Sequence, residues 1–251
     1  MAQEFTIPTS SGLERDARRM HADSHGVRSG EIALGVVIGR TSEFFDFFVY
    51  AIASVLVFPQ LFFTPLRPLD GLLASFSVFA LAFLARPVGS VLFTAIDRRH
   101  GRGVKLTLAL FLLGGSTAGM SFLPGYADLG WTAVVLLGSL RLLQGLALGG
   151  AWDGLASLLA VNAPEDRRGW WAMAPQLGAP LGFLLAGGLL AVFSAVLKRS
   201  DFLDWGWRYP FFVALAINMV ALFARLRLVA TEPFGRLFDR DKAALVGQRL
   251  A

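Results

Sequence analysis

No cysteine occurs among the 251 residues, which excludes disulfide frameworks and thiolate metal sites. Histidine is nearly absent too. His21, His25 and His100 are scattered without metal-ligand spacing, and no HExxH pair exists. With no Ser/His pairing inside the apolar stretches and no thiol, a membrane-embedded hydrolase lacks its parts, and the chain reads as not an enzyme. Charge is the third scarcity: 16% of residues are charged, against roughly 25% in ordinary soluble domains. Residues 1–29 are polar and Arg-containing and have no apolar h-region, so they do not read as a cleaved signal peptide.

What is present is apolar bulk. Hydrophobic residues make up 55% of the chain, with 22 phenylalanines and 27 glycines, and the mean hydropathy is +0.59. Membrane helices favour both bulky apolar surface and small packing residues. Six apolar segments follow one another, at about 31–58, 71–96, 104–123, 131–161, 170–197 and 207–228. Each is long enough to cross a hydrocarbon core of about 30 Å, which takes about 20 helical residues. The expected fold is therefore an all-α membrane protein with six transmembrane helices. A cytoplasmic tail is expected at 1–29, the bundle at 30–228 and a second cytoplasmic tail at 229–251. Pro59, Pro65 and Pro68 discourage helix between the first two spans, and Pro175 and Pro180 should bend or loosen the fifth.

Lysine and arginine set the orientation. Sixteen of them fall in the tails and the second-to-third and fourth-to-fifth connections, against four (Arg67, Lys198, Arg199, Arg208) on the other side. Both termini are expected in the cytoplasm, with the chain in the cell (inner) membrane. The formal charge of +5 is thus topology and gives no reason for a nucleic-acid partner. Five GxxxG pairs (Gly35/Gly39, Gly115/Gly119, Gly145/Gly149, Gly150/Gly154 and Gly178/Gly182) point to closely packed helices.

Against this background, "GRTSEFFDFFVY" is expensive, because it puts Arg40, Glu43 and Asp46 inside an apolar helix. Glu43 and Asp46 are three apart and share a face, with Arg40 one turn before Glu43. They must face the bundle interior, a water-filled cavity or each other. Such a cluster can bind and release a proton, or it can lock helix packing as a buried ion pair. In the fourth span, Arg141 and Gln144 share a face, and Asp153 stands roughly 18 Å further along the axis. Arg141 could snorkel to the interface. "DRRHGRG" reads either as a positive-inside anchor or as a docking knot between helix ends. "PEDRRG" reads as interfacial.

Together these stretches resemble the major facilitator superfamily, and within it the metabolite:proton symporter family. "EFFDFFVY" looks like that family's first-helix signature, and "ARPVGSVLF" followed by "DRRHGR" is similar to its second-helix and loop motif. "RLLQGLALGGAWDG" through "APEDRRGWWAMAPQLGAPLG" and "WGWRYPFF" look like its fourth, fifth and sixth helices. The resemblance implies proton-driven uptake of a small metabolite, such as an organic acid, a zwitterion or an osmolyte. It implies no cofactor beyond the proton as coupling ion, and the lipid bilayer and the solute as partners. Carried over, it sets Arg40, Glu43, Asp46, Tyr50, Arg141, Gln144, Trp152, Asp153 and Gln176 about a central proton and substrate cavity. It sets Arg86, Gly89, Asp97, Arg98, Arg99, Gly101 and Arg102 in a cytoplasmic gating motif.

The chain departs from the family pattern in three places. The loop aspartate falls on Arg98, with Asp97 one position earlier. Ala151 stands where Glu is usual, and Asp153, two residues on, faces about 200° away. The resemblance also covers only one six-helix half of a fold built from two. The expected form is a half-transporter completed by a homodimer or by a separate C-terminal half. The alternative is a transport-inactive structural or regulatory membrane subunit, or a truncated product.

Overall fold

The computed structural model describes residues 29–151, 159 and 168–229. Among them, six long helices run one after another: α1 (Ser29–Leu56), α2 (Pro68–His100), α3 (Arg102–Met120), α4 (Trp131–Gly150), α5 (Gly178–Val196) and α6 (Arg208–Val229). Short helical pieces lie between them, at Phe58–Leu61, Tyr126–Leu129, Arg168–Met173 and Arg199–Asp201. No strand occurs among the described residues.

The prolines act where their chemistry allows. Pro59 and Pro68 sit in the first turns of the Phe58–Leu61 helix and of α2, where a missing N–H is no loss. Pro175 falls in a single 3-10 turn, Ala174–Leu177, which breaks the fifth span as expected. The second span runs further than its apolar stretch, through Arg98, Arg99 and His100. The two arginines complement the helix C-terminus, so the expected "DRRHGRG" loop reduces to one residue. That residue, Gly101, has φ +82°, a left-handed turn that suits glycine. The fourth helix ends at Gly150; its expected continuation to 161 lies mostly outside the described residues.

Five of the spans are apolar enough to cross a membrane by length and composition. The sixth, α1, is 28 residues long but holds Arg40, Glu43 and Asp46 within seven residues. Its neighbours supply what composition does not, because α1 packs against both α5 and α6. The described residues thus form a bundle of six long helices.

The packing has an internal pattern. The closest pairs are α2 with α4 and α1 with α5, followed by α3 with α6, α3 with α4 and α1 with α6. Exchanging α1–α3 with α4–α6 maps this set onto itself, the signature of two three-helix repeats. Glycine makes the two principal crossings possible. A Cβ at Gly145 or Gly149 would run into the α2 backbone at Ala82, Arg86 and Gly89, and one at Gly178 or Gly182 into α1 at Arg40 and Phe44. Gly89 on α2 meets the backbone of Leu146 in the same way. The Gly115/Gly119 pair differs: Gly115 has open space and Gly119 meets only the Leu140 side chain at 3.4 Å.

Two apolar layers bracket the bundle's middle. One is aromatic, with Tyr50, Phe58, Phe62, Trp207 and Phe211 buried together and ring centroids 5.0–6.4 Å apart. The other is aliphatic, built on Leu110, Leu113, Ala147 and Leu222. The polar side chains are gathered between them.

Candidate functional site

A partly open cavity of about 290 Å³ lies where α1, α2 and α4 meet. α1 contributes Arg40, Glu43, Phe44 and Phe47; α2 contributes Ala82, Phe83 and Arg86; α4 contributes Arg141 and Leu148. Arg40 and Glu43, one turn apart, form an ion pair at 2.8 Å. The lining thus includes three arginines, one glutamate and three phenylalanines.

Arg141 does not snorkel. It is 1% exposed, and α4 holds it at the eleventh position of a 20-residue helix, too far from either end to reach the membrane surface. Its Nε donates to the Phe79 carbonyl at 3.2 Å and its Nη1 to Gln144 Oε1. The guanidinium lies over the rings of Tyr50 and Phe79, with Cζ 4.0 and 4.5 Å from their centroids. This double cation–π contact is in the setting in which burial strengthens the interaction. Gln144 Nε2 in turn donates to Thr117 Oγ1 on α3 at 2.7 Å.

Asp46 lies one layer behind the cavity wall. Although it shares a helix face with Glu43, the 60° between them sends Glu43 to the cavity and Asp46 into the interior, where it is 0% exposed. Its Oδ2 accepts from Asn218 Nδ2 on α6 at 2.6 Å. Asn218 Oδ1 accepts from Ser42 at 3.3 Å. Asp46 Oδ1 and the Tyr50 hydroxyl are buried with no hydrogen-bond partner among the described residues.

The remaining expected residues are spread out. Gln176 is exposed on the 3-10 turn, and the cavity does not include it; Pro175 takes the buried position beside it. Tyr50 and Gln144 back the wall through Arg141 without lining the cavity. Arg86, expected in the gating motif, lines the cavity. Gly89 belongs to the α2–α4 crossing. Asp97, Arg98 and Arg99 occupy the last turns of α2, with Arg98 and Arg99 exposed, and Gly101 is the turn after them. Trp152, Asp153 and the Arg102 side chain lie outside the described residues.

Sequence reasoning missed Asn218, Thr117 and Ser42. It weighed charged residues in apolar helices and passed over uncharged polar ones. The same cost argument applies to a lone amide or hydroxyl, which in hydrocarbon also needs a partner.

Six helices in two three-helix repeats, a cavity along one face and a buried carboxyl–guanidinium layer behind it define a major-facilitator bundle. The chain belongs to the family described as "Sugar (and other) transporter", whose pattern it matches over residues 32–233, within the major facilitator superfamily. Membership of a family of transporters answers the enzyme question in the negative. It is 41% identical over 212 residues to the "Inner membrane metabolite transport protein YhjE" of Escherichia coli K12, covering 84% of this chain and 48% of that one. It is 37% identical over 198 residues to the "Shikimate transporter" of the same organism, covering 79% and 45%. Among solved structures, that of a D-xylose-proton symporter superposes with a TM-score of 0.67 at 20% identity, covering 88% of this chain and 53% of the other. The chain spans about half the length of the curated relatives it matches.

Proposed function

We propose that this chain supplies one half of a proton-coupled secondary transporter for a small carboxylate-bearing solute. The observation that carries the reading is the cavity of Arg40, Arg86 and Arg141 with a single carboxylate, Glu43, against a phenylalanine wall. Guanidinium groups match carboxylates in bidentate geometry, and the rings suit an apolar carbon frame. The names of the relatives, a shikimate transporter and proline/betaine transporters, fit a solute with a carboxylate.

Asp46 is the proton carrier in this reading, and Arg141 connects it to the solute. Arg141 lines the cavity, and its Nη1 donates to Gln144, which donates in turn to Thr117. Its hold on a bound carboxylate is therefore linked to the protonation state of the carboxyl behind it. Glu43, already paired with Arg40, shapes the cavity's charge. The bundle sits in the inner membrane with both termini in the cytoplasm, in keeping with the sixteen-to-four asymmetry of basic residues.

The cavity's lining among the described residues comes from α1, α2 and α4, and the opposite wall in this reading comes from a second six-helix half. Native mass spectrometry in a membrane mimic, followed by carboxylate uptake into proteoliposomes, tests both parts. Accumulation of a carboxylate under an inward proton gradient, by the dimer or by the co-reconstituted pair of halves, is the expected result. A chain that binds no carboxylate in either assembly contradicts the reading.

A further inference from the structure

Asn218 stands at the middle of α6, outside the cavity wall, and its amide has only one orientation that satisfies its neighbours. Nδ2 has two hydrogens, and both are placed, on Asp46 Oδ2 at 2.6 Å and on the Ala214 carbonyl at 2.8 Å. Oδ1 accepts from the Ser42 hydroxyl at 3.3 Å. Reversing the amide would set its oxygen against two acceptors. The residue is also gripped from behind, since a Cβ at Gly114 on α3 would sit 3.0 Å from the Asn218 Cβ.

The consequence falls on the carboxyl. Asp46 Oδ2 is held as a hydrogen-bond acceptor, while Oδ1 is buried with no partner among the described residues. A protonated carboxyl has one carbonyl and one hydroxyl oxygen, and the carbonyl is the better acceptor. The geometry points to Asn218 as a positioning residue for the proton site: it reserves Oδ2 as the carbonyl and assigns the exchangeable proton to Oδ1.

Besides Asn218, the groups that act on the carboxyl come from its own helix, α3 and α4. Arg141 from α4 and Glu43 on the same helix are the charged groups that act on Asp46, and Thr117 of α3 lies beside it. The Thr117 hydroxyl directs its own hydrogen to the Leu113 carbonyl at 2.9 Å. Its oxygen is thereby an acceptor, already receiving Gln144 Nε2 at 2.7 Å. Thr117 and Arg141 approach the carboxyl from α3 and α4, and Asn218 anchors it from α6. The inference rests on the proposed function only in taking Asp46 as the proton carrier.

Infrared difference spectroscopy of the purified chain in lipid, titrated over pH, tests it without any transport. Asp46→Asn identifies the carboxylic-acid carbonyl band of this residue by deleting it. Asn218→Leu, close in volume, removes the donor to the carbonyl oxygen, and the band is expected to move to higher frequency and to broaden. Ser42→Ala leaves the donor but removes the contact that orients the amide, and a smaller shift in the same direction is expected. A band unmoved in Asn218→Leu overturns the inference. If that variant does not fold, a band unmoved in Ser42→Ala overturns it. Absence of any Asp46 acid band at any pH overturns it as well and removes Asp46 as proton carrier, a failure distinct from an unmoved band.

Discussion

Asp46 and Arg141 share one buried layer without forming an ion pair. Asn218 takes the carboxylate at 2.6 Å, while Gln144 and the Phe79 carbonyl take the guanidinium. Asn218 reaches Asp46 from α6, while Arg141 is met by Gln144 on its own helix and by the Phe79 carbonyl on α2, so neither charge is committed to the other. An arrangement of this kind can change partners as helices shift, whereas a locked buried pair would resist separation. The expected consequences can be measured one side chain at a time.

Gln144 is the first. Gln144→Leu leaves one arm of a buried guanidinium without its acceptor. The variant should lose about 1.5–3 kcal/mol of stability, the range for hydrogen bonds to charged groups. Gln144→Glu keeps an acceptor and should retain most of it. Thermal unfolding in nanodiscs separates the two. Equal melting temperatures for both variants would mean that the contact does not hold Arg141.

Tyr50 divides ring from hydroxyl. Its ring lies 4.0 Å from the Arg141 guanidinium carbon, but its hydroxyl is buried and has no partner among the described residues. Tyr50→Phe should therefore leave stability unchanged or raise it, since it removes a polar atom whose burial is uncompensated. Tyr50→Leu should lower it by about 2 kcal/mol through the lost cation–π contact. A large loss in Tyr50→Phe would show that the hydroxyl has a partner after all.

The helix crossings give a sharper contrast. Gly145→Ala places a methyl group into the α2 backbone at Ala82, while Gly188→Ala in α5 meets nothing within 4 Å. The first should cost about 1–3 kcal/mol by overpacking. The second should be neutral or slightly stabilising, because glycine is a poor helix former. Fluorescence-detected size exclusion after heating ranks them, and the reverse ranking would contradict the packing.

Arg86 tests the solute reading separately from stability. It is exposed and lines the cavity, so Arg86→Gln should fold normally. Carboxylate binding should weaken by about tenfold to a hundredfold, equivalent to the 1.5–3 kcal/mol of a charge-assisted hydrogen bond. Calorimetric titration with a small monocarboxylate measures it; unchanged affinity would take Arg86 out of the solute site.

Much of this architecture was legible in the sequence because a membrane leaves few choices. Apolar length located all six spans, and the GxxxG pairs of the fourth and fifth helices marked the crossings with α2 and α1. The Gly115/Gly119 pair misled, since spacing shows which residues could approach and not which helix arrives. Helix ends were less readable where charges continue a helix, as at Arg98 to His100, because interfacial side chains reach water without breaking the backbone. The site was half legible. Charged residues in apolar helices pointed to Arg40, Glu43, Asp46 and Arg141. Asn218 and Thr117 went unseen, because their importance comes from neighbours distant in sequence. The division of Glu43 and Asp46 between cavity and interior depended on how α1 is rotated against α5 and α6, which no single-helix pattern specifies.

The central claim is that a buried carboxyl behind an arginine-lined cavity couples solute to proton. The most direct measurement is carboxylate uptake into proteoliposomes holding the functional assembly, with and without an imposed inward proton gradient, for wild type and Asp46→Asn. The account predicts that wild type accumulates solute only under the gradient, while Asp46→Asn still exchanges solute across the membrane but no longer accumulates it. Gradient-driven accumulation by Asp46→Asn equal to that of wild type would contradict it.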